Sequence, residues 1–480
     1  MRRGLLRLLP VAAALALAGC AVGPDYQRPD VDVPQQYRPV QSAVDYSQWL
    51  DERWWQQYGS DTLNRLVAAT LKNNLTLKQA MANVERAAAA LTISRADLFP
   101  QLGYSGTASK ARSSEKTLQG AQLEGKAVKN YEALASASWE LDLWGKIRRQ
   151  TESAGADLRA VQAAHKAAVS SVVGSVVSTY ISLLQIDEQI RIANETAESY
   201  KQTYDLFQMR FKYGNLSEME VVQAKSQWQG AKVQLPSLEQ SRTEIMNALS
   251  ILTGLPVTDF ETRDKLASLK MPVIAAGIPS ELLTDRPDIV EAEQKLIAAN
   301  ADIGVARAAY FPSISLSAGL GTASTDLKDL FEGPAKLWNF SGSLTGPIFR
   351  WGAVVAGEKS AEAQQKAMLA SYELTVAQAF ADVDNALSAR ENLRSEEQDK
   401  IELVKSLKDY KRLATAQYNG GYTGYVTVLQ AEQSLLPQEL DLAQVRAKHL
   451  SSAVTISQAL GGGWIDKALV EEVAEADKKD

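Results

Sequence analysis

Residues 282–322, LLTDRPDIVEAEQKLIAANADIGVARAAYFPSISLSAGLGT, change their hydrophobic periodicity at the Phe311-Pro312 step. Before this step, apolar and small residues recur every three or four positions over 289–306, which predicts a helix with one packed stripe. After it, apolar residues alternate with serine and glycine over 313–320, which predicts a strand with one apolar and one polar face. The segment is therefore predicted to be a helix that leads into an amphipathic strand.

The same junction occurs twice in the chain. Residues 95–102, RADLFPQL, correspond to residues 307–314, RAAYFPSI. Further matches lie 207 residues apart: Gly145 with Gly352, Gly254 with Gly461, and Gln223-Ala224 with Gln430-Ala431. The sequence therefore predicts two internal repeats, 61–254 and 281–463, with a linker over 255–280 and a tail over 464–480.

Each repeat is predicted to contain a helix, a β-hairpin, a very long helix and a shorter helix. The long helices, 146–212 and 353–418, lack proline, and 67 residues extend about 100 Å in an α-helix. Valine, tyrosine and leucine on two sides of the first long helix predict that it packs against two neighbours. The shorter helices, 217–253 and 424–460, each contain one proline, Pro236 or Pro437.

Local signals mark where these helices begin and end. Asp61 is predicted to cap the first helix, over 61–98. Gly214 suits the end of a long helix, and Ser217 with Glu220 forms the sequence pattern of a capping box for the helix that follows.

The hairpins are predicted over 101–143 and 313–349. From Tyr131 onwards, one face carries alanine, tryptophan and leucine and the other carries serine and acidic residues. In the last predicted strand, 338–349, large apolar residues oppose asparagine, serine and threonine. Alternation with aromatic residues on the apolar face is typical of transmembrane strands.

The first 20 residues have the pattern of a secretory leader, predicted over 1–19. Three arginines precede an apolar run, which is too short to span a bilayer as a helix. Leu17-Ala18-Gly19-Cys20 resembles a bacterial lipobox, and this resemblance implies cleavage before Cys20 and acylation of its thiol and new amino group. Residues 20–60 would then be a lipidated N-terminal tether.

The charge balance narrows the possible functions. The chain has a formal charge of −6, and loss of the three leader arginines would leave −9. Nucleic-acid binding is disfavoured, since no basic stripe is visible. No apolar run of 18 residues follows Cys20 in the sequence, so we expect no transmembrane helix. Strands closed into a barrel are the remaining way to cross a membrane.

Four strands cannot close a barrel, because bare sheet edges would face lipid. Several chains must therefore share one barrel. Three chains would supply 12 strands, a number within the known range, but the periodicities alone also allow two or four chains.

Residues 282–316 resemble the hallmark segment of the TolC-like outer-membrane factors, and within them the OprM-type lipoprotein subgroup. Residues 20–26 (CAVGPDY), 139–145 (WELDLWG) and 460–464 (LGGGW) are similar to that subgroup as well. The resemblance implies a mainly α fold with a membrane β-barrel. It implies a homotrimer with a 12-stranded outer-membrane barrel and a long periplasmic α-helical barrel. It also implies lipid (palmitate) on Cys20, a periplasmic adaptor protein and an inner-membrane transporter of the resistance-nodulation-division (RND) type.

The implied function is that of the exit duct of an RND-type efflux pump, which passively conducts drugs or other small toxic compounds and contributes to antibiotic resistance. Two related ducts remain alternatives, one for type I protein secretion and one for heavy metals. A purely structural periplasmic coiled coil would explain the long helices but not the four amphipathic strands.

The family resemblance also implies a gate at the periplasmic helix tips, with candidates Tyr418, Val426, Thr427, Gln430 and Gln433. Gln430 stands where an aspartate is expected, Gln433 replaces an arginine, and Thr427 replaces a second acid. We therefore expect closure by packing of Val426 and by amide hydrogen bonds, with Glu432 or Glu220 supplying nearby charge. An ordinary solvated helix face is the alternative.

Two helix tips are candidate contacts for the adaptor. Their residues are Gly214, Asn215, Leu216 and Ser217 in the first repeat, and Gly421, Tyr422, Thr423 and Gly424 in the second. Turn chemistry alone would also explain these glycines.

The sequence predicts no enzyme and no catalytic, cofactor or metal site. His165 and His449 are the two histidines, and neither has a glutamate or cysteine at ligand spacing. The glycine-rich segments lack the Gly-Lys-Ser/Thr of a phosphate-binding loop.

Overall fold

The computed structural model describes residues 21–31, 53–122, 124, 126–256, 264–272 and 282–462. The predicted signal peptide, Cys20 and the tail 464–480 lie outside these residues. Parts of the predicted tether and of the linker 255–280 also lie outside them.

The described chain is mainly helical. Its α-helices are α1 (Asp61–Asn73), α2 (Leu75–Ala96), α3 (Leu118–Gln122), α4 (Lys146–Lys212), α5 (Glu218–Thr253), α6 (Leu282–Asp285), α7 (Pro287–Ala308), α8 (Ala353–Asn419) and α9 (Tyr425–Ala459). Its strands are β1 (Gln101–Ala111), β2 (Val128–Leu141), β3 (Ser313–Ser324) and β4 (Lys336–Thr345). Helix α4 occupies the predicted range, and α8 extends one residue past its predicted end.

The four strands form one antiparallel sheet in the order β1-β2-β3-β4. The register places Ala137 between Leu102 and Ala318, and Ala318 opposite Phe340. Directly opposed residues share a face, so one apolar face crosses all four strands. Much of it is exposed in the chain, including Leu102, Tyr104, Leu320, Trp338 and Phe340.

The opposite face of the sheet is polar. Hydroxyl pairs link Ser315 to Ser343 at 2.7 Å and Ser317 to Ser341 at 2.8 Å across β3 and β4. The sheet therefore has the two-faced character that the alternation predicts.

The chain divides into two compact units, which do not coincide with the two repeats. Among the described residues, unit 1 contains 21–30, 83–161 and 291–373, and unit 2 contains the rest. The repeats are not separate domains because the hairpin of each one joins the same sheet through the β2–β3 pairing.

The core of unit 2 is centred on α4. Val169, Val173, Val176, Tyr180 and Leu183 form one buried line along this helix. Val172, Val177, Ile181 and Leu184 are buried beside it. The helix is therefore enclosed on two sides, as predicted.

Contrary to our expectation, α4 also contains an 18-residue window that is long and apolar enough to cross a membrane. Half of that window is buried within the protein. This combination is typical of a core helix, because such a helix needs apolar residues all round to pack on several sides.

Three local predictions were wrong. The helix predicted over 61–98 is interrupted at Asn74, whose carboxamide oxygen accepts from Leu77 N at 3.1 Å and starts α2. Ser60, rather than Asp61, caps α1 by accepting from Leu63 N at 3.0 Å. The strand predicted to reach Phe349 ends at Thr345, because Gly346-Pro347 follows and proline cannot donate to a ladder.

In unit 1, residues 21–26 are fixed to the body of the unit. Val22 N donates to Trp144 O at 3.0 Å, and Arg149 pairs with Asp25 at 2.8 Å. Gly23 lies so close to Gly304 that a Cβ atom on Gly23 would be 2.5 Å from Gly304 Cα. The segment that directly follows Cys20 thus has a defined place in the fold.

Candidate functional site at the helix tips

The first tip (residues 213–217) and the second tip (residues 420–424) are both in unit 2 and have the same turn geometry. At the first tip, Asn215 N donates to Arg210 O and Gly214 N to Phe211 O. Equivalent bonds join Tyr422 N to Gln417 O and Gly421 N to Tyr418 O at the second tip. Each pair of bonds is a Schellman motif.

Glycine at the turn position is required at both tips. Gly214 and Gly421 have φ of +73° and +75°, a backbone conformation that residues other than glycine rarely adopt. Open space surrounds both positions, since no atom lies within 4 Å of an added Cβ. The glycines are therefore selected by backbone conformation and not by close contact.

The helices that leave the two tips are capped differently. Ser217 accepts from Glu220 N at 3.4 Å, and its own N–H donates to the Glu220 carboxylate at 3.1 Å, which confirms the predicted capping box. Gly424 caps α9 without a side-chain bond. Thr427 instead forms a 2.8 Å hydroxyl pair with Thr423.

Tyr418 packs into an aromatic cluster. Its ring centroid lies 6.1 Å from that of Phe207 and 5.5 Å from that of Tyr425, and Leu216 of the first tip packs against the same cluster. Burial and the nearby Glu220 carboxylate raise the pKa of Tyr418, against an opposing effect of Arg210. This phenol is therefore neutral at physiological pH and holds α8 against α4 and α9.

Three of the other gate candidates lie on one exposed face of α9, which we name the exposed stripe: Val426, Gln430 and Gln433. Val426 is 51% exposed, and both glutamine side chains are also exposed. The stripe follows helical spacing. Within one chain, the structure brings Tyr418 and Thr427 into contacts but leaves the exposed stripe facing solvent.

The tip residues themselves are mostly exposed. Leu216 and Thr423 are half-buried, and the other six adaptor candidates are exposed. Tyr422 is 88% exposed and Tyr213 is 73% exposed, so an aromatic ring projects from each tip.

Glu432 is buried behind the exposed stripe. It is 4% exposed, and its Oε1 lies 3.2 Å from Lys411 Nζ of α8. Burial raises its pKa, and Lys411 opposes that effect. Glu220, the other acid expected to supply charge, is held in the capping box.

Sequence reasoning missed Phe207, Lys411 and Tyr425. One signal was present: Tyr425, Val428, Glu432 and Leu435 follow the spacing of a packed seam, with an acid among apolar residues. Lys411 and Phe207 could not be assigned, because they belong to other helices.

Within the described ranges, no group of three or more histidine, cysteine, aspartate or glutamate residues is placed to hold a metal ion. His449 does have a glutamate partner, contrary to the expectation from sequence spacing. Its Nδ1 lies 2.6 Å from Glu397 of α8, and Arg446 approaches the same carboxylate at 3.6 Å. This arrangement joins two helices.

The chain matches the family model described as outer membrane efflux protein over residues 66–255 and 278–462. It is 33% identical to the cation efflux system protein CusC of Escherichia coli over 464 residues, covering 95% of this chain and 99% of CusC. It is 34% identical to the toluene efflux pump outer membrane protein TtgC of Pseudomonas putida over 477 residues, covering 97% of each. The outer membrane channel CmeC of Campylobacter jejuni superposes with a TM-score of 0.86 at 27% identity, covering 95% of this chain and 98% of CmeC.

Proposed function

The chain belongs to the outer membrane efflux protein family and is an outer-membrane protein, and from this premise we propose that it is the exit duct of a tripartite RND-type efflux pump. The observation that carries the proposal is the pairing of a two-faced sheet with two 67-residue helices in one chain. The sheet suits a membrane and the helices suit a path through the periplasm. The duct would be passive, with substrate selection made by the inner-membrane transporter.

The proposed assembly is a homotrimer. In the sheet, β1 and β4 have one neighbour each, and a hydrocarbon layer does not tolerate unpaired backbone groups. Three copies joined edge to edge would form a closed barrel of 12 strands, with the apolar face towards lipid and the serine pairs towards the lumen. The long helices of the three copies would form the periplasmic barrel.

The proposed partners are a periplasmic adaptor at both tips and an inner-membrane transporter of the resistance-nodulation-division type. The exposed backbone turns and Tyr422 support the tip assignment. We also propose that Cys20 is acylated, because Leu17-Ala18-Gly19-Cys20 resembles a lipobox. Each buried methylene would contribute about 0.8 kcal/mol of membrane affinity. The fixed position of residues 21–26 supports a defined point of exit for the acyl chains.

The proposed gate is a ring formed by the exposed stripes of three copies. Val426 would supply apolar contacts, and Gln430 and Gln433 would supply amide hydrogen bonds between copies. Tyr418 and Thr427 would support the ring from within each chain.

The gate assignment is tested by Gln430→Asp in single-channel recordings of the purified full-length protein. Three carboxylates in one ring repel each other and attract cations, so we expect a higher open probability and a new dependence on divalent cations. Gln223→Asp, at the matching position of the first repeat, is the control and should leave both unchanged. Identical recordings for all three proteins would refute the gate assignment.

Small toxic organic compounds, including antibiotics, are the proposed substrates, by similarity to the toluene efflux protein TtgC. The similarity to CusC supports heavy-metal export as a second candidate. The two relatives CusC and TtgC are both described as efflux proteins, so protein secretion, the third alternative, has no support from them.

The experiment is a deletion strain tested for sensitivity to, and accumulation of, dyes, antibiotics, solvents and metal ions. Hypersensitivity to several unrelated organics, reversed by the wild-type gene, is the expected result. A defect confined to metal ions would change the proposed substrates from organic compounds to metals. Altered secreted proteins without hypersensitivity would favour the secretion duct. Absence of ion conductance in planar bilayers by both the wild type and Gln430→Asp, the variant expected to open the gate, would refute a duct altogether.

A further inference from the structure

Near the second tip, α9 packs through a seam that is apolar except at one position. Its buried residues there are Tyr425, Val428, Ala431, Glu432, Leu435 and Leu436. A single polar residue in an otherwise apolar seam restricts how a helix can rotate or slide, because every other setting leaves that group without its partner. Near the second tip, Glu432 is therefore the seam residue whose bonding favours one setting of α9 over the others.

The contacts of Glu432 join three helices. Lys411 of α8 reaches Oε1 at 3.2 Å, and its Nζ lies 5.7 Å from the ring centroid of Tyr200 on α4. Tyr200 is 4% exposed and packs with Ala197 and Ala231. Oε2 of Glu432 is buried and has no hydrogen-bond partner within the part of the chain that the structure describes. The acid is thus enclosed and has one strong partner.

The exposed stripe lies on the other side of the same helical turns. With 100° between successive residues, Glu432 is about 120° around the helix axis from the line through Val426, Gln430 and Gln433. A rotation of α9 large enough to turn this line away would take Glu432 away from Lys411. The two faces are therefore coupled through a rigid helix.

We propose that Glu432 and Lys411 are positioning residues for the gate, which set the rotation of α9 so that Val426, Gln430 and Gln433 face outwards. The assignment rests on the proposed function, since it presumes that the exposed stripe closes a duct. It adds to the gate two residues that act from behind the exposed stripe and do not line the proposed lumen.

The first repeat supports this assignment by contrast. The residues 207 positions earlier are Tyr204 and Lys225, and Lys225 is exposed. At these two matched positions, the second repeat has a buried ion pair and the first repeat does not. If the pair served packing alone, apolar residues at positions 411 and 432 would serve equally well, since buried ion pairs are often replaced by apolar residues without loss of stability.

The test separates rotation of α9 from loss of folding. We would prepare the full-length chain with Lys411→Met and Glu432→Leu together, and the matched control with Lys408→Met and Glu439→Leu, which removes a more exposed ion pair between the same helices. Each is combined with Val428→Cys, at a buried position, or Gln430→Cys, at an exposed one. Labelling by a polar maleimide then reports the rotation of α9. The same chain without either added cysteine measures the labelling of the native Cys20, which is subtracted as background.

We expect the Lys411/Glu432 variant to fold and to form the same oligomer as the wild type. Labelling at position 428 should rise several-fold and labelling at position 430 should fall, with a higher resting conductance in planar bilayers. The charge-swapped variant, Lys411→Glu with Glu432→Lys, should restore the wild-type labelling pattern, and the Lys408/Glu439 control should never lose it.

Wild-type labelling and wild-type conductance in the Lys411/Glu432 variant would overturn this assignment alone. Changed labelling without any change in conductance, while the wild type conducts, would also overturn it. Absence of conductance in the wild type and in every gate variant would overturn the proposed function and this assignment with it.

Discussion

The pair α4–α5 and the pair α8–α9 match in length to within one residue and have the same turns, but different chemistry joins their helices. In the described residues, an ion pair between Arg242 and Asp187 at 2.6 Å links α4 to α5, and Tyr204 stacks on Trp228 at 5.7 Å. Between α8 and α9 the ion pairs are Lys400–Asp441, Lys408–Glu439, Lys411–Glu432 and Arg446–Glu397, and His449 Nδ1 lies at hydrogen-bond distance from Glu397.

This difference shows which features of a duplicated fold are free to diverge. The backbone turns are shared because only glycine suits them, whereas the residues between the helices are aromatic in one pair and ionic in the other. Tyr204 corresponds to Lys411 and Trp228 to Leu435. Exposed ion pairs contribute little to stability, but they form only when the two helices are aligned in one register. The ion pairs between α8 and α9 therefore define that register and make it sensitive to salt and pH.

The largest expected effect is that of Lys411→Met. It leaves the Glu432 carboxylate buried without a partner, and we expect a cost of about 3–5 kcal/mol. The measurement is the thermal unfolding midpoint in detergent, together with hydrogen exchange along α9. Lys225→Met in the first repeat is the control, with an expected change within about 0.5 kcal/mol. Equal midpoints for the two variants would contradict the buried setting of Glu432.

A smaller effect follows from the raised pKa of Glu432. A carboxyl with a higher pKa in the folded state binds protons more tightly there than when unfolded, so its contribution to stability falls as pH rises. On acidification from neutral pH to about pH 5, the wild type should therefore gain stability relative to Glu432→Gln. The difference between their unfolding midpoints over this range is the measurement. A constant difference would show that this carboxyl does not titrate there.

The two tips should also respond differently to changes at their caps. Ser217→Ala removes the hydroxyl that accepts from Glu220 N, and we expect a loss of about 1 kcal/mol. Ser217→Gly should cost only a few tenths of a kcal/mol, as glycine is tolerated at a helix start. Thr427→Ala should cost less than Ser217→Ala, because Gly424 caps α9 without a side chain. Hydrogen exchange in the first turns of α5 and α9 distinguishes these results, and equal losses at both tips would refute the asymmetry.

The smallest effect is expected for the exposed ion pair Lys408–Glu439. Lys408→Met should cost about 0.2–1 kcal/mol at low salt and less at high salt, because mobile ions screen an exposed pair. Unfolding midpoints at two salt concentrations would measure this. A cost that does not change with salt would mean that packing of the lysine side chain accounts for it.

Features encoded within a few residues could be predicted from the sequence. The range of α4, the turn at Gly214 and the capping box at Ser217 depend on neighbours in the chain, so spacing alone identified them. The two-faced sheet was also predictable, because alternation fixes which side chains share a face.

Features that depend on distant segments could not be predicted. Asn74 interrupts the first helix because its carboxamide also donates to Leu252 O at 2.7 Å, a contact that lies 178 residues away in sequence. The burial of Glu432 depends on Lys411 and Tyr200, which come from two other helices. The exposed stripe was identified through the family resemblance, and its contacts with other copies remain a prediction.

The open edges of the four-stranded sheet also affect how the protein assembles in the membrane and how stable the assembly is. A chain with unpaired backbone along β1 and β4 has no complete membrane-spanning form of its own, so in the proposed trimer barrel closure and subunit association are one reaction. Its equilibrium then depends on the third power of protomer concentration, and quoted stabilities are meaningful only with that concentration stated. Dilution should therefore release single chains that no longer span the bilayer, and the number of ducts per cell should respond more steeply than in proportion to synthesis.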